Sequence, residues 1–394
     1  MSDVQFTARF IQSLDAVDAG SWDACANPVE IDDRNAIGER YNPFISHAFL
    51  RALETSKSVG AGTGWTPLHV LIEDCEGRLV ATAPAYIKSQ SLGEYVFDQG
   101  WAQAYAKAGG RYYPKIQIAA PFTPVTGRRL LVARDAPHGA RDALIEALRA
   151  LGRSAGASSI HVTFAAAADV KALDSAGFLS RTGEQFHFIN EGYRDFDDFL
   201  NALSSRKRKT IRRERKEALG VDLSVDLLTG ADIKPQHWDA FFAFYMDTSS
   251  RKWGRPYLTR AFFDEIGRAM PERILLIMAR REENYIAGAI NFLGDDAIYG
   301  RNWGAIEHRA FLHFEICYYQ AIEFAIRHGY QRVEAGAQGE HKLARGYRPV
   351  VTHSAHEFAD PRLSEAVAAF LEREHVVVDS MIGEYEAFLP FRHG

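Results

Sequence analysis

The sequence predicts an α+β fold built from two units with the same order of elements. Three observations support this prediction. The 394 residues are more than one ordinary core accommodates, the apolar share of 47% is enough to build sizeable cores, and the order helix, antiparallel meander, helix, strand, strand occurs twice. The two halves share little residue-level identity, so the repeat is one of architecture. We expect domains at residues 1–190 and 191–394, each with a mixed, mostly antiparallel sheet flanked by helices.

The first half opens this pattern with a helix predicted over residues 43–56, where apolar residues recur at helical spacing. Residues 67–89 predict two strands around an acidic turn that contains Gly77. Later segments follow the same order: an extended stretch broken by a proline turn (115–132), a helix (136–156) and two short strands (158–164 and 185–190).

The second half repeats the order with clearer signals. Residues 274–305, "ILLIMARREENYIAGAINFLGDDAIYGRNWGA", predict three strands joined by polar turns at 282–284 and 295–296. An amphipathic helix follows and ends at Gly329, a typical stop residue. The remaining predictions are helices (237–254 and 259–270), strands (331–337 and 350–358) and a mostly helical C-terminal segment (361–391).

Charge and cysteine content narrow the functional classes. The net charge of -5 argues against a protein that coats nucleic acid, which is usually basic throughout. Cys25, Cys75 and Cys317 are widely spaced and form no CxxC pair, so we expect reduced thiols, no metal site and a cytoplasmic location. The N-terminus has no signal-peptide pattern, and no run of about eighteen apolar residues predicts a membrane span.

Two stretches carry a family resemblance. Residues 300–337, "GRNWGAIEHRAFLHFEICYYQAIEFAIRHGYQRVEAGA", resemble the segment from the fourth to the fifth strand of the GNAT acyltransferase fold. Two such domains in tandem, with a basic helix opening the second, resemble the FemAB-like group, and "PFTPVTGRRLL" and "EAGAQGEHKLARGYRP" are similar to its bacterial branch labelled peptidoglycan-biosynthesis or GNAT-like. The resemblance covers roughly residues 43–358 and implies two tandem GNAT-like domains.

The resemblance also implies an activity. It implies transfer of an acyl or aminoacyl group to the amine of a small molecule or peptide, including a cell-wall peptide precursor. The co-substrate would be an acyl-CoA or an aminoacyl-tRNA, with no tightly bound cofactor. One departure concerns the pyrophosphate loop, which is Gly-rich in acyl-CoA enzymes but reads "AIEHRAFLHF" here. The start of the central helix, with Arg309 and His313, remains the candidate donor site.

The stretch "QGEHKLARGYR" (338–348) concentrates chemically useful groups just after a strand. Amine acylation needs a base for the amine proton and donors for the developing oxyanion. The candidate bases are Glu340 and His341, and Tyr347 is a candidate acid. Lys342, Arg345 and Arg348 are candidates for binding phosphate or a carboxylate. The alternative is a polar loop whose charges pair with one another.

Three further stretches contain candidate substrate-binding residues, each with a structural alternative. Arg301 and Trp303 alternate with Asn302 and are expected on one sheet face, which either lines a pocket or is a packed edge. The other candidates are Lys252 and Trp253 in a predicted loop, and Tyr113 and Lys115 in an aromatic-rich segment. Tyr318 of the central helix is interpreted as a core residue.

The basic run "SSRKRKTIRRERK" (204–216) stands out in this acidic chain. A helix capped by Ser204 or Ser205 would place Arg206, Lys209, Arg213 and Lys216 on one side, and a second row, which includes the donor-binding candidates Arg208 and Arg212, beside it. Ile211 is its only sizeable apolar residue, which predicts shallow burial. Contact with a polyanion (tRNA, CoA phosphate or a phosphorylated acceptor), a solvated helix paired with Glu214 and Glu217, and an interdomain latch all remain open.

Two functions compete at this level. The first is a cytosolic N-acyltransferase or aminoacyltransferase of the FemAB-like type. The alternative is a non-catalytic RNA-binding or regulatory protein on a degenerate transferase fold. No sequence motif typical of hydrolases, nucleotide-hydrolysing enzymes or dehydrogenases occurs in a convincing context. The oligomeric state is not predicted.

Overall fold

The computed structural model describes residues 5–28, 40–252, 256–336 and 339–392, without the side chains of residues 251 and 252. The chain divides into two compact units. Unit 1 comprises Met1–Gly183 and Thr352–Asp379, and unit 2 comprises Glu184–Val351 and Ser380–Gly394. The sequence-based boundary between residues 190 and 191 treats each domain as one continuous segment, whereas each compact unit is built from two segments.

The fifteen strands of the described residues are short, and most follow the runs of β-branched and apolar residues. They are β1 (Thr7–Ile11), β2 (Trp65–Pro67), β3 (His69–Glu73), β4 (Leu79–Ala83), β5 (Ala85–Lys88), β6 (Lys115–Ile118), β7 (Leu131–Val132), β8 (Ser159–Thr163), β9 (Leu179–Ile189), β10 (Ser224–Thr229), β11 (Ile274–Arg281), β12 (Asn284–Leu293), β13 (Ala297–Ala305), β14 (Arg332–Glu334) and β15 (Arg348–Phe358).

The α-helices of the described residues alternate with these strands. They are α1 (Ala19–Ala26), α2 (His47–Thr55), α3 (Gln99–Lys107), α4 (Ala140–Ser154), α5 (Ala167–Ser175), α6 (Phe196–Ala202), α7 (Ser205–Leu219), α8 (Pro235–Lys252), α9 (Arg260–Ala269), α10 (Leu312–Phe314), α11 (Gln320–His328) and α12 (Pro361–Ala387). A π-helical turn, Glu315–Tyr319, joins α10 to α11, and we call residues 312–328 the central helix. None of the described helices combines the length and apolar character that a membrane crossing needs.

Unit 1 distributes its strands over two sets. One is an antiparallel sheet in the order β1-β3-β4-β7, and the other runs β15-β8-β6-β5-β2. All neighbouring pairs are antiparallel except β6 with β8, which are parallel and are connected through α4. The main apolar core of unit 1 packs α4 against these strands through residues such as Leu144, Leu148 and Val162.

Unit 2 has the strand order β10-β11-β12-β13-β14-β9. The meander β11-β12-β13 is antiparallel, with turns where the polar pairs of the sequence predict them. Strands β13 and β14 are the parallel pair, joined by the central helix, and β9 closes the sheet antiparallel to β14. Each unit therefore contains one parallel strand pair within a mostly antiparallel arrangement, which confirms the predicted α+β class.

The basic run forms α7 as predicted, but it is more deeply seated than the sequence indicated. Ser204 occupies the N-cap position without a capping hydrogen bond from its side chain. Ile211, Glu214 and Ala218 are all buried, and Ile211 belongs to the apolar core of unit 2. The expectation of shallow burial is wrong because a carboxylate and a small residue extend the inner face of the helix.

Candidate active site

The candidate site lies where strands β13 and β14 separate. Their parallel pairing covers Ala297 with Arg332 through Tyr299 with Glu334; β14 then ends, whereas β13 continues to Ala305. Because the strands are parallel and joined by a helix, the C-terminal ends of both strands and the start of the central helix meet at one edge. Crevices at such edges are the usual ligand sites of parallel strand pairs.

A bulge in β13 places Arg301 in this opening strand. Ile290 of β12 faces Asn302, but the next residue, Asn291, faces Gly300, so Arg301 is the extra residue of the bulge. A bulge bends the strand and changes the direction of its side chain. Arg301 and the nearby Trp303 are both partly exposed.

The central helix begins irregularly beside this strand. Phe311, the residue before it, has a left-handed φ of 62°, and the π-helical turn follows within one turn. Such π turns often occur at functional sites because they shift side chains out of the regular helical register. The turn contains Tyr318, a buried residue.

Tyr318 and His341 form the central contact of the site. The phenol oxygen of Tyr318 lies 2.9 Å from Nε2 of His341, a hydrogen-bond distance. Burial raises the pKa of Tyr318, so its phenol remains protonated at neutral pH. His341 is exposed and therefore accessible to a substrate. The pair thus joins a buried proton donor to an accessible imidazole.

Aromatic rings surround this pair. The ring of His313 lies 5.3 Å from that of Tyr318 and 5.2 Å from that of Trp303, measured between centroids. Phe314 stacks on Tyr318 at 6.0 Å and lies 5.6 Å from His341. Apolar ring faces lower the local polarity around the pair, which strengthens its electrostatic interactions.

The segment after β14 is a 3₁₀ helix, Glu340–Arg345, where the sequence predicted a loop. Within it, Lys342 is fully buried and its Nζ donates to the carbonyl oxygen of Gly336 at 2.7 Å. Burial lowers the pKa of Lys342 to about 7; the nearby Cys317 raises it and Arg301 lowers it by smaller amounts. The side chain of Lys342 therefore ties its segment to the backbone at Gly336, and its ammonium group loses its proton at a lower pH than an exposed lysine does.

Arg345 connects this segment to the basic helix. Its Nη2 lies 3.0 Å from both carboxylate oxygens of Glu214, and its Nη1 donates to the carbonyl oxygen of His341 at 2.8 Å. Its guanidinium lies 3.4 Å above the ring of Phe314, a cation–π distance. Tyr319 also donates to Glu214. Arg345 thus fixes the backbone that carries His341.

Tyr347, the predicted acid, lies in the core beside Tyr318. Their ring centroids are 5.6 Å apart, and Tyr347 is fully buried. Burial raises its pKa well above the usual value. Its hydroxyl has no hydrogen-bond partner among the described residues. In this position Tyr347 supports the ring of Tyr318.

The other candidates of this segment and of the donor site have intramolecular partners. Glu340 is exposed and accepts a hydrogen bond from Tyr385 at 3.2 Å. Arg309 donates to both carboxylate oxygens of Asp222 at 2.9 and 2.8 Å, and with Arg281 it lowers the pKa of Asp222 to about 2. Donor binding by Arg309 would therefore compete with this ion pair.

The donor candidates of the basic run are engaged in the same way. Arg208 donates to Asn201 at 3.2 Å, and Arg212 pairs with Asp197 at 2.8 Å. These contacts use the row of the helix that the sequence assigned to the donor.

The predicted substrate residues of the first half belong to unit 1. Lys115 is buried there, and its Nζ donates to Ser91 at 2.9 Å and to Asp98 at 2.5 Å. Tyr113 also donates to Ser91, at 2.7 Å. Both side chains are therefore part of a hydrogen-bond network within that unit. Trp253 lies outside the described residues, and Lys252 is described only as the last residue of α8.

The structure adds three residues that sequence reasoning did not assign to the site. They are Phe314, Tyr318 and Glu214. Tyr318 was interpreted as core, and it is buried, but its hydroxyl points to His341. Phe314 lies four residues before it at the start of the same helix, a spacing that is visible in the sequence. No cluster of three or more potential metal ligands occurs within the described parts of the chain.

Comparison with known families gives a match over nearly the whole chain. The sequence profile of the FemAB-like family, described as peptidoglycan biosynthesis/recognition, matches residues 13–393. The chain belongs to the FemAB-like family. None of the curated protein sequences compared with it gives a significant match.

Solved structures extend the comparison to the fold of this FemAB-like chain. It is similar to FemX, with a TM-score of 0.55 and 12% identity over 91% of this chain and 100% of that one. It is also similar to the C-terminal domain of a putative lysylphosphatidylglycerol synthetase from Agrobacterium fabrum (TM-score 0.50, 10% identity, 90% and 96% covered). A tandem GNAT protein from the clavulanic acid pathway matches with a TM-score of 0.48 and 13% identity over 91% and 99%. The predicted family and the predicted α+β fold class are confirmed, and the family supports a transferase.

Proposed function

We propose that this FemAB-like chain is an N-acyltransferase that moves an acyl or aminoacyl group from an activated donor to an amine. The observation that carries the proposal is the Tyr318–His341 pair at the opening between β13 and β14. Acyl transfer to an amine requires one group that accepts a proton and another that supplies one. This pair contains both, in hydrogen-bond contact.

In the proposed reaction, the amine nitrogen attacks the donor carbonyl carbon. His341 accepts the amine proton as the C–N bond forms. The C–S bond of a thioester, or the C–O bond of an ester, then breaks, and Tyr318 supplies a proton to the leaving sulfur or oxygen. The hydrogen bond between the two side chains lets the proton pass from His341 to Tyr318, which restores both groups.

Positive charge near this pair would stabilise the developing oxyanion. Arg301 and Lys342 are the candidates, because Arg301 lies in the bulged strand and its charge lowers the pKa of Lys342. A charged donor in a site with restricted water is worth more than one in bulk solvent. The start of the central helix, with His313 and Arg309, is the proposed position of the donor phosphates.

The identities of the donor and the acceptor are also proposed. The donor is an acyl-CoA or an aminoacyl-tRNA, both of which carry phosphates and an activated carbonyl. The family description supports a peptide amine of a cell-wall precursor as acceptor. The three cysteines are free, which is compatible with a location in the reducing cytoplasm.

A two-stage experiment tests the proposal. A thermal-shift screen of acyl-CoAs and of charged and uncharged tRNA first identifies a donor that stabilises the protein. Turnover with that donor and a set of amines is then compared for the wild type, Tyr318→Phe and His341→Gln. We expect each variant to lose about 100-fold or more in kcat while keeping its Tm.

Tyr193→Phe is the matched control, because Tyr193 also lies in unit 2 but bonds to the exposed Glu191. We expect it to retain wild-type turnover. Full turnover in both Tyr318→Phe and His341→Gln would overturn the assignment of the pair. Absence of any stabilising donor would overturn both donor alternatives.

A further inference from the structure

The outer face of the basic helix is an exposed row of cations. Arg206, Lys209, Arg213 and Lys216 are all exposed, and none of their side chains makes an ion pair or a hydrogen bond with any described residue. Successive members are three or four positions apart, so they follow one side of α7. The buried residues Ile211, Glu214 and Ala218 lie on the opposite side. We call these four cations the outer row.

Two exposed apolar side chains lie near the C-terminal end of the basic helix. Val221 follows the end of α7 by two residues and is 107% exposed, and Ile306 in the β13–α10 connection is 56% exposed. Both belong to short loops that are joined by the Asp222–Arg309 ion pair at 2.8 Å. Arg281 extends this junction by pairing with both Asp222 and Glu307.

These ion pairs neutralise the acidic residues beside the two apolar tips. Asp222 and Glu307 each pair with at least one arginine, so neither presents an unpaired charge. Glu217 is the remaining acidic residue of α7, and it is exposed. The surface as a whole, from Arg206 to Ile306, therefore combines excess positive charge with exposed aliphatic groups.

We propose that this surface of unit 2 docks onto an anionic lipid bilayer. Cations near a negatively charged leaflet each contribute attraction to its headgroup phosphates. Aliphatic side chains adjoining such a row insert into the boundary between headgroups and acyl chains. An RNA backbone would use the cations equally well, but it would leave the exposure of Val221 and Ile306 unexplained.

Docking through this surface would bring the bilayer close to the candidate site. Ile306 lies in the segment that leads from Trp303 on β13 to His313 on the central helix. A bilayer in contact with this loop would lie next to the opening between β13 and β14. The inference stands independently of the proposed acyl transfer, since it concerns binding alone.

Vesicle co-sedimentation of the full chain tests the inference. The vesicles contain either phosphatidylcholine alone or phosphatidylcholine with phosphatidylglycerol. We expect binding only to the second kind, and weakening at high salt because ions screen the attraction. Arg213→Glu with Lys216→Glu should weaken binding about 30-fold or more, given roughly fivefold for each cation lost.

The apolar tips are tested separately. Val221→Ser with Ile306→Ser should weaken vesicle binding about fivefold or more while leaving its salt dependence in place. The matched controls are exposed residues of unit 1: Lys107→Glu with Lys171→Glu for charge, and Val376→Ser for apolar exposure. Both controls should bind like the wild type.

The same proteins are titrated with uncharged tRNA. Weakened vesicle binding in both test variants, with wild-type binding in the controls, supports the proposal. It is overturned if the wild type does not bind the anionic vesicles. It is also overturned if the Val221 and Ile306 substitutions have no effect while the charge reversals abolish tRNA binding, because the outer row would then serve RNA.

Discussion

Both carboxylate oxygens of Glu214 lie 3.0 Å from Nη2 of Arg345, so the basic helix α7 is fastened to the candidate site by its inner face. Glu214 is only 6% exposed, and Tyr319 donates to it as well. Arg345 in turn holds the carbonyl oxygen of His341. The inner face of α7 therefore positions the site segment, whereas its outer row faces solvent.

We predict that Glu214→Ala lowers the free energy of unfolding by about 3–5 kcal/mol. The reason is that Arg345 would remain buried without its counter-charge. Urea unfolding at neutral pH measures the change. Glu217→Ala is the matched control on the same helix, and because Glu217 is exposed it should stay within about 0.5 kcal/mol of the wild type. Equal effects of the two substitutions would contradict the buried pair.

The meander shows what the sequence predicts well. Polar residues at 282–284 and 295–296, between apolar runs, predicted two tight turns, and strands β11, β12 and β13 end and begin at them. Turn chemistry and alternation are local properties, so a single sequence contains them. The helix of the basic run and the end of the central helix at Gly329 are local in the same sense.

The contacts of the site were not predictable in this way. The sequence offered Glu214 only as an acidic partner within a solvated helix, one of three open alternatives, whereas its partner Arg345 lies 131 residues away. The hydroxyl of Tyr318 meets His341 only because a π-helical turn and a 3₁₀ helix bring them together. Such pairings depend on the packing of distant segments and leave no local pattern.

We predict that Gly304→Ala destabilises the protein by at least about 2–3 kcal/mol. A Cβ atom at this position of β13 would lie 2.1 Å from the carbonyl oxygen of Phe244 in α8, and the backbone of that helix cannot move aside cheaply. Thermal or urea unfolding measures the loss.

Gly100→Ala is the control for that substitution. Gly100 lies in α3, and among the residues that the structure describes no heavy atom comes within 4 Å of its added Cβ. Alanine at a helical site favours the helix, so we expect stabilisation of up to about 1 kcal/mol. A Gly304→Ala protein as stable as the wild type would show that α8 does not pack directly on β13.

We predict that Lys342 makes stability rise with pH above neutrality. Its folded-state pKa is lowered to about 7 from 10.5, chiefly by burial. Between these two values the unfolded chain binds a proton that the folded protein lacks, so the free energy of unfolding increases by up to about 1.4 kcal/mol per pH unit. Below this window both states are protonated, and the folded state carries the full cost of the buried charge.

The comparison of wild type with Lys342→Met isolates this contribution. In urea unfolding at about pH 6, 8 and 10, the free energy of unfolding of the wild type should rise relative to that of the variant as the pH rises. The buried Lys88, whose pKa is also lowered to about 7, is present in both proteins and cancels. Lys107→Met, at an exposed position, is the control for the loss of a lysine. A pH-independent difference between the wild type and Lys342→Met would refute the shift.

We predict that Gly339→Ala lowers kcat about 10- to 100-fold in the proposed acyl transfer. A Cβ atom at Gly339 would lie 2.4 Å from Cε1 of His341, so the imidazole would have to move away from Tyr318. Displacement of a catalytic group by about 1 Å can cost that much in rate. Gly336→Ala is the matched control, because Gly336 also has a positive φ but its added Cβ meets no heavy atom of the described residues within 4 Å. Both substitutions strain the backbone, so kcat is measured at a temperature where both variants are folded. If both variants lost the same activity, backbone strain in this segment would account for the loss, and the position of the His341 ring would not.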